Sequence, residues 1–256
     1  QNAGEGTRGG TLRVATIGEP LTLDQHQTTA EITAVISYVM FEGLFTYDSG
    51  YQAVPELLDS YTISEDGLVY SMKLREGVTF HDGSPLTSDD AIASVQRWGQ
   101  ISGVGKRLLA ATASIDKVDD LNFDWKLTIP YGTLAVALAH NTQGCVIFQK
   151  SFLEQHSLDP IQEGYIGTGP YRLADRQIDA YIRFERYEEY KSNPNPTDGY
   201  AGMKYAYPDV IEFIPVPDES ARVAGLQAGD YHLAMEIGYD QYPVLSNAPG
   251  VVAEIR

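Results

Sequence analysis

The chain has one cysteine, Cys145, among its 256 residues. No intramolecular disulfide can form, and neither a thiolate zinc site nor a paired-cysteine redox motif is available. Cys145 sits in the apolar run "GCVIF", which predicts a buried thiol rather than a nucleophile. Long apolar runs are missing as well; none approaches the ~20 residues that a helical membrane span needs. Cations are scarce. With 18 Lys and Arg against 35 Asp and Glu the net charge is −17, which repels nucleic acid and anionic lipid and excludes both as expected partners. The five histidines (His26, His81, His140, His156, His232) lack metal-ligand spacing, so no metal is expected. G-x-S-x-G, P-loop and H-E-x-x-H motifs are absent. The G-x-G at Gly167-Thr168-Gly169 runs into Pro170 and opens no glycine-rich helix, so no dinucleotide or other cofactor is expected. The chain opens on Gln1 with no basic and apolar leader, which implies processing or trimming.

What is present reads as a mixed α/β protein with a real core, 43% of the residues being apolar. "QNAGEGTRGG" is Gly-rich and polar, and predicts a flexible arm over residues 1–8. "TLRVATI" alternates and is β-branched, so it predicts a strand. Thr28-x-x-Glu31 resembles a capping box, with Ile32, Val35, Ile36, Val39 and Met40 at helical spacing behind it and Gly43 as the stop. Residues 44–80 read as short β segments with a hairpin at Asp66-Gly67. "ISGVGKR" reads as a polar loop. "ASIDKVDDLNFDWKLTI" reads as a strand pair turning at Asp119-Asp120, and residues 133–139 as an apolar segment. "CVIFQKSFLEQH" predicts a short strand and a helix, and "GTGPYRL" a stiff turn into another strand. "DAYIRFERYEEY" predicts a strand with one wet face, and "KSNPNPTDGYAGMKYAYPD" a long surface loop. "VIEFIPV" is a strand, Asp218 caps a helix ended by Gly229, and "LAMEIG" and "GVVAEIR" are further strands.

The stretch "REGVTFHDGSPLTSDDAIASV" groups His81 and Asp82 with two more carboxylates. A structural reading accounts for all of them. His81-Asp82-Gly83 makes a sharp turn. Thr87 or Ser88 caps the next helix, and Asp89 and Asp90 sit in its first turn, where the helix dipole favours negative charge. Adjacent carboxylates do not converge on one helix face, so neither catalysis nor metal binding is expected here.

Together these segments resemble the family 5 extracellular solute-binding proteins of ABC importers, which include dipeptide-, oligopeptide- and nickel-binding members. The resemblance rests on "GGTLRVA", "EPLTLD", "VMFEGLFTYD", "LREGVTFHDG" with its P-T-DD continuation, "GTGPYRL" and "IEFIPVPDESARVAGLQAGDY". His232 departs from it, standing where an acidic residue is usual. The resemblance implies the type II periplasmic-binding-protein clamshell. Family members are about twice as long. Residues 9–256 are therefore expected to form the first lobe, with a hairpin-rich subdomain at about 47–165, ending at the crossover to a second lobe. It further implies a periplasmic or extracellular protein, freed of its signal peptide, that hands a small solute, such as a peptide, to ABC permease subunits without catalysis.

In open α/β sheets, ligands sit beyond the carboxyl ends of strands. Two loops leave such ends. They supply the candidate ligand contacts: Glu19, Pro20, Leu21, His26 and Gln27 in the first, Asn141, Thr142 and Gln143 in the second. Two alternatives stand beside the receptor. A secreted hydrolase would need two carboxylates in opposed environments within a pocket. A ligand-sensing domain of a regulator would need a DNA-binding or signalling segment in cis, which this sequence does not contain.

Overall fold

The computed structural model describes residues 6–156 and 158–255, so most of the expected arm at 1–8 lies outside the described residues. The chain divides into two compact units. One comprises residues 21–172 and 187–205; the other comprises 6–20, 173–186 and 206–255.

The second unit is built on a five-stranded mixed sheet. β1 (Thr11–Thr16) runs parallel to β10 (Val210–Pro215) and to the short β11 (Leu233–Ala234), while β9 (Tyr181–Arg186) pairs antiparallel with β10 and is followed by β8 (Tyr171–Gln177) at the edge. The alternation expected for β9 is present: Ile182 and Phe184 are buried, and Arg183 pairs with Glu212 on the other face. Helix α6 (Glu219–Ala228) begins where Asp218 accepts the Ala221 N–H at 2.8 Å and ends at Gly229, φ +80°. That is the side-chain cap and left-handed stop that its sequence predicts. His232 clasps β1, its Nδ1 accepting the Arg13 N–H and its own N–H reaching the Arg13 carbonyl, both at 2.9 Å.

The first unit carries a four-stranded antiparallel sheet in the order β4 (Leu58–Ile63), β5 (Val69–Leu74), β7 (Asn122–Leu127), β6 (Thr112–Lys117), and a two-stranded ribbon of β2 (Phe45–Tyr47) and β3 (Ala53–Pro55). Asp66-Gly67 makes the β4–β5 hairpin, with Gly67 at φ +70°. Tyr70, Met72 and Leu74 face a core that includes Trp98, Phe123 and Trp125. Helix α2 (Ser88–Ile101) starts as expected; the Asp90 carboxylate accepts the N–H and the hydroxyl of Thr87 at 2.9 and 2.7 Å. Helices α4 (Leu134–Leu138) and α5 (Lys150–His156) complete the unit.

Several expectations are corrected. Helix α1 is only Glu31–Ser37, with Ala30 as its N-cap; Thr28 instead accepts the Ala30 N–H at 3.0 Å. It stops before Gly43 because the Val39 and Met40 carbonyls accept the N–H groups of Tyr171 and Gly169. The expected loop at "ISGVGKR" contains helix α3 (Gly103–Ala110), capped by Ser102. Its glycine permits close packing, since a Cβ on Gly105 would lie 2.7 Å from the Gly99 Cα. "LAMEIG" pairs over two residues only, residues 251–255 form no strand, and α7 (Tyr242–Leu245) lies in the connection.

Candidate functional site

The two most specific sequence motifs meet at His81. Its Nδ1 accepts the Gly167 N–H at 3.1 Å, which leaves Nε2–H to donate to the Gly169 carbonyl at 2.9 Å, and its own N–H reaches the Gly167 carbonyl. Burial lowers the pKa of this ring to about 4, so the neutral form holds the clasp. Asp82 is spent locally, on the Ser84 N–H and hydroxyl and on Gln149. The HDG turn and the GTGP turn are one scaffold joint.

The first candidate loop divides between the units. In the second unit, the Glu19 carboxylate pairs with Arg176 at 2.7 Å and accepts the Asp179 N–H, and the Pro20 carbonyl accepts from Arg176 at 2.7 Å. In the first unit, Leu21 is 92% exposed. His26 is fully buried: Nδ1 accepts from Arg97 at 3.1 Å, so Nε2–H donates to the Val146 carbonyl at 2.9 Å. Both ring nitrogens are used, burial lowers its pKa to about 4, and no ring atom is left for a solute. Arg97 also forks onto Asp24, with contacts of 3.1 and 2.7 Å, so this buried pair ties the loop to α2. Gln27 donates to the Leu158 carbonyl.

The second candidate loop offers mainly backbone. The Asn141 carbonyl accepts from the Tyr38 hydroxyl at 3.3 Å, the Thr142 carbonyl from His140 at 2.6 Å, and the Gln143 carbonyl from the Trp98 indole at 2.7 Å. Gln143 has φ +51°, a left-handed conformation. Asn141 is exposed, while Thr142 and Gln143 are half-buried.

Beside this loop lies a cavity of about 220 Å³ within the first unit. Phe41, Phe45, Leu138 and Val146 give it apolar walls, and Tyr38, His140 and Tyr200 also line it. The Tyr38 and Tyr200 rings stack at 5.4 Å and 19°. Its polar end is formed by Glu42, Glu56 and Lys204. Lys204 Nζ stands 3.0 Å from a Glu42 oxygen and 2.7 Å from a Glu56 oxygen. Glu42 also accepts from Tyr190 at 2.8 Å and Thr168 at 3.0 Å. Burial alone would raise the Glu42 carboxyl, but Lys204 and Arg75 hold it below the ordinary carboxylate range. Burial raises Glu56, with Lys204 opposing. Among the described residues, no group of three or more His, Cys, Asp or Glu side chains could hold a metal ion.

Two buried carboxyls in opposed environments are what a carboxylate hydrolase would display. Here Lys204 bridges them, and Glu42 carries two further donors. The ammonium stands where a scissile bond between the two carboxyls would have to lie. The arrangement is a closed ion-pair network at the end of the cavity.

Sequence reasoning did not single out this trio. The signal was a lone acid in the apolar run "VMFEGLF", since a buried carboxylate requires partners. Nothing local pointed to Lys204, which lies 162 residues away from Glu42 in the chain.

Comparison with known proteins agrees with the fold. A probable peptide ABC transporter periplasmic-binding protein of Sinorhizobium fredii is 30% identical over 237 residues, covering 90% of this chain and 44% of the relative. A glutathione-binding protein of Pectobacterium atrosepticum is 30% identical over 235 residues, covering 91% and 43%. The chain thus spans less than half the length of these relatives. Among solved structures, the periplasmic binding protein DppA from Helicobacter pylori, in complex with the peptide STSA, superimposes with a TM-score of 0.80 at 23% identity, covering 96% of this chain and 50% of that one. The oligopeptide-binding protein AppA from Bacillus subtilis, in complex with a nonapeptide, gives 0.78 at 24%, covering 96% and 47%. Residues 52–255 match the family described as bacterial extracellular solute-binding proteins, family 5 Middle. The chain belongs to this family, whose members bind solutes and are not enzymes.

Proposed function

We propose that the protein acts as an extracytoplasmic receptor that captures a small polar solute, peptide-like in class, and delivers it to the permease subunits of an ABC importer. The observation that carries this reading is the family match over residues 52–255. Relatives named for peptide and glutathione binding support the solute class, and those named periplasmic support the location. In this reading the chain is the first lobe of a two-lobed clamshell, and closure against a second lobe buries the solute. Leu21, Gln27, Asn141, Thr142 and Gln143 are proposed as solute-facing positions of the first unit; His140 and Gly144, which bracket the last three, line the cavity with Tyr38 and Tyr200. Glu19 and Pro20 are proposed as contacts of the second unit. His26 serves by holding its loop in place.

Native mass spectrometry of the full-length protein purified from its host tests the proposal. The expected result is a co-purified small polar molecule, released unchanged on denaturation and rebound in calorimetry. Recovery of a chemically altered product, or no bound molecule and no heat with the host's solute pool, would remove it.

A further inference from the structure

Residues 187–205 form one wall of the cavity. The early part is fixed many times over. Tyr190 donates to Glu42, Arg75 donates to the Lys191 carbonyl at 3.1 Å, and the buried Asn193 donates to the Glu56 carbonyl at 3.3 Å. The later part brings the Tyr200 ring onto Tyr38. It is held by the Tyr200 N–H to the Tyr47 carbonyl at 3.0 Å, by the Asp198 carboxylate accepting the Ser49 N–H at 3.1 Å, and by the Lys204 N–H to Ser192 at 2.8 Å. Its side-chain attachment to the cavity end is Lys204, whose ammonium meets both Glu42 and Glu56. Those carboxylates are 0% and 1% exposed, so an ammonium that left them would strand two buried charges.

We propose that Lys204 is the positioning residue of this cavity: by bridging Glu42 and Glu56 it clamps residues 195–205, and with them the Tyr200 ring, against Tyr38, and so governs entry to the interior. Solute access is the purpose this gives the clamp, and only that purpose rests on the receptor reading.

The chain supplies its own reporter. Cys145 is its one cysteine, lines the cavity and is 2% exposed. Its labelling rate by a small methanethiosulfonate at fixed pH reads how often the cavity opens. The Lys204→Met variant keeps most of the stem and removes the charge; it is expected to label at least about tenfold faster than the parent chain, a difference of about 1.4 kcal/mol in opening. The Lys204→Arg variant, which can still fork onto two carboxylates, is expected within about threefold of the parent. Amide exchange in β5 and β7 should not change in either variant, which separates local opening from general loss of stability. Unchanged labelling in Lys204→Met overturns the proposal, and so does faster labelling that appears together with lost protection in β5. Should Lys204→Met fail to fold, the double variant Glu56→Gln/Lys204→Met removes one stranded charge and carries the same expectation. If that also fails to fold, Lys204 is a folding determinant and the proposal falls. Labelling that responds as expected in a protein taking no solute from its host keeps the clamp and removes the receptor; a bound solute with labelling indifferent to Lys204 does the reverse.

Discussion

Asp82 and His81 share a turn, but the structure gives them different reach. Asp82 bonds within its own turn and to Gln149, whereas His81 joins segments 86 and 88 residues apart in sequence. Local chemistry was enough to identify Asp82 as a turn residue. Nothing near His81 in sequence named its partners, since both lie on the distant GTGP turn. Asp82→Ala is expected to lower stability by about 0.5–2 kcal/mol, the range for losing a side-chain bond to turn backbone. Urea unfolding measures that loss, and solute affinity of the full-length protein should not move. Lost affinity with unchanged stability would instead make Asp82 a ligand contact.

Among the elements, the legible ones carry their own punctuation. The β4–β5 hairpin has Asp66-Gly67, α2 has Thr87 and Asp90, and α6 has Asp218 and Gly229. Helix α3 reads as a loop in the sequence because glycine and polar residues weaken helical propensity, yet one of those glycines, Gly105, lets two helices touch. Gly105→Ala separates these effects by sign. Propensity alone would stabilise by about 0.5–1 kcal/mol. Packing forces the new methyl against the Gly99 Cα at 2.7 Å and the Trp98 carbonyl at 2.8 Å. The expected net result is a loss of about 1–3 kcal/mol, as in overpacked cores, read as a lower urea midpoint at constant slope. A raised midpoint would mean that α3 shifts freely on α2.

At the scale of the whole molecule, stability should depend on acidity through its buried histidines. His26 and His81 both have folded pKa values lowered from 6.5 to about 4 by burial. Between these limits the unfolded chain binds protons that the folded chain refuses, so stability falls as pH falls. The contribution is fully present above about 6.5 and is lost by about 4, at up to about 3 kcal/mol per ring. Carboxylates such as Asp82 and Asp89, whose pKa values are lowered from 3.8, act below that window. Thermal midpoints measured from pH 7.5 to 4.5 should therefore decline mostly below 6.5. A flat profile across that range would show that both rings take up protons without cost to the fold.

What the sequence determined by itself follows from short-range chemistry. Turn residues, caps and period-two alternation fix where most strands and helices lie, because each depends on neighbours within about four residues. Motif order along the chain carried the family as well. The tertiary structure alone decided the cavity. The "KSNPNPTDGYAGMKYAYPD" segment reads as a surface loop because it is rich in proline and polar residues, yet Asn193, Ala201 and Gly202 are buried and Lys204 closes the cavity end. Its anchors are Glu42 and Glu56, far back in the chain. A buried charge needs a countercharge brought from wherever the fold places one, and no local pattern records that pairing.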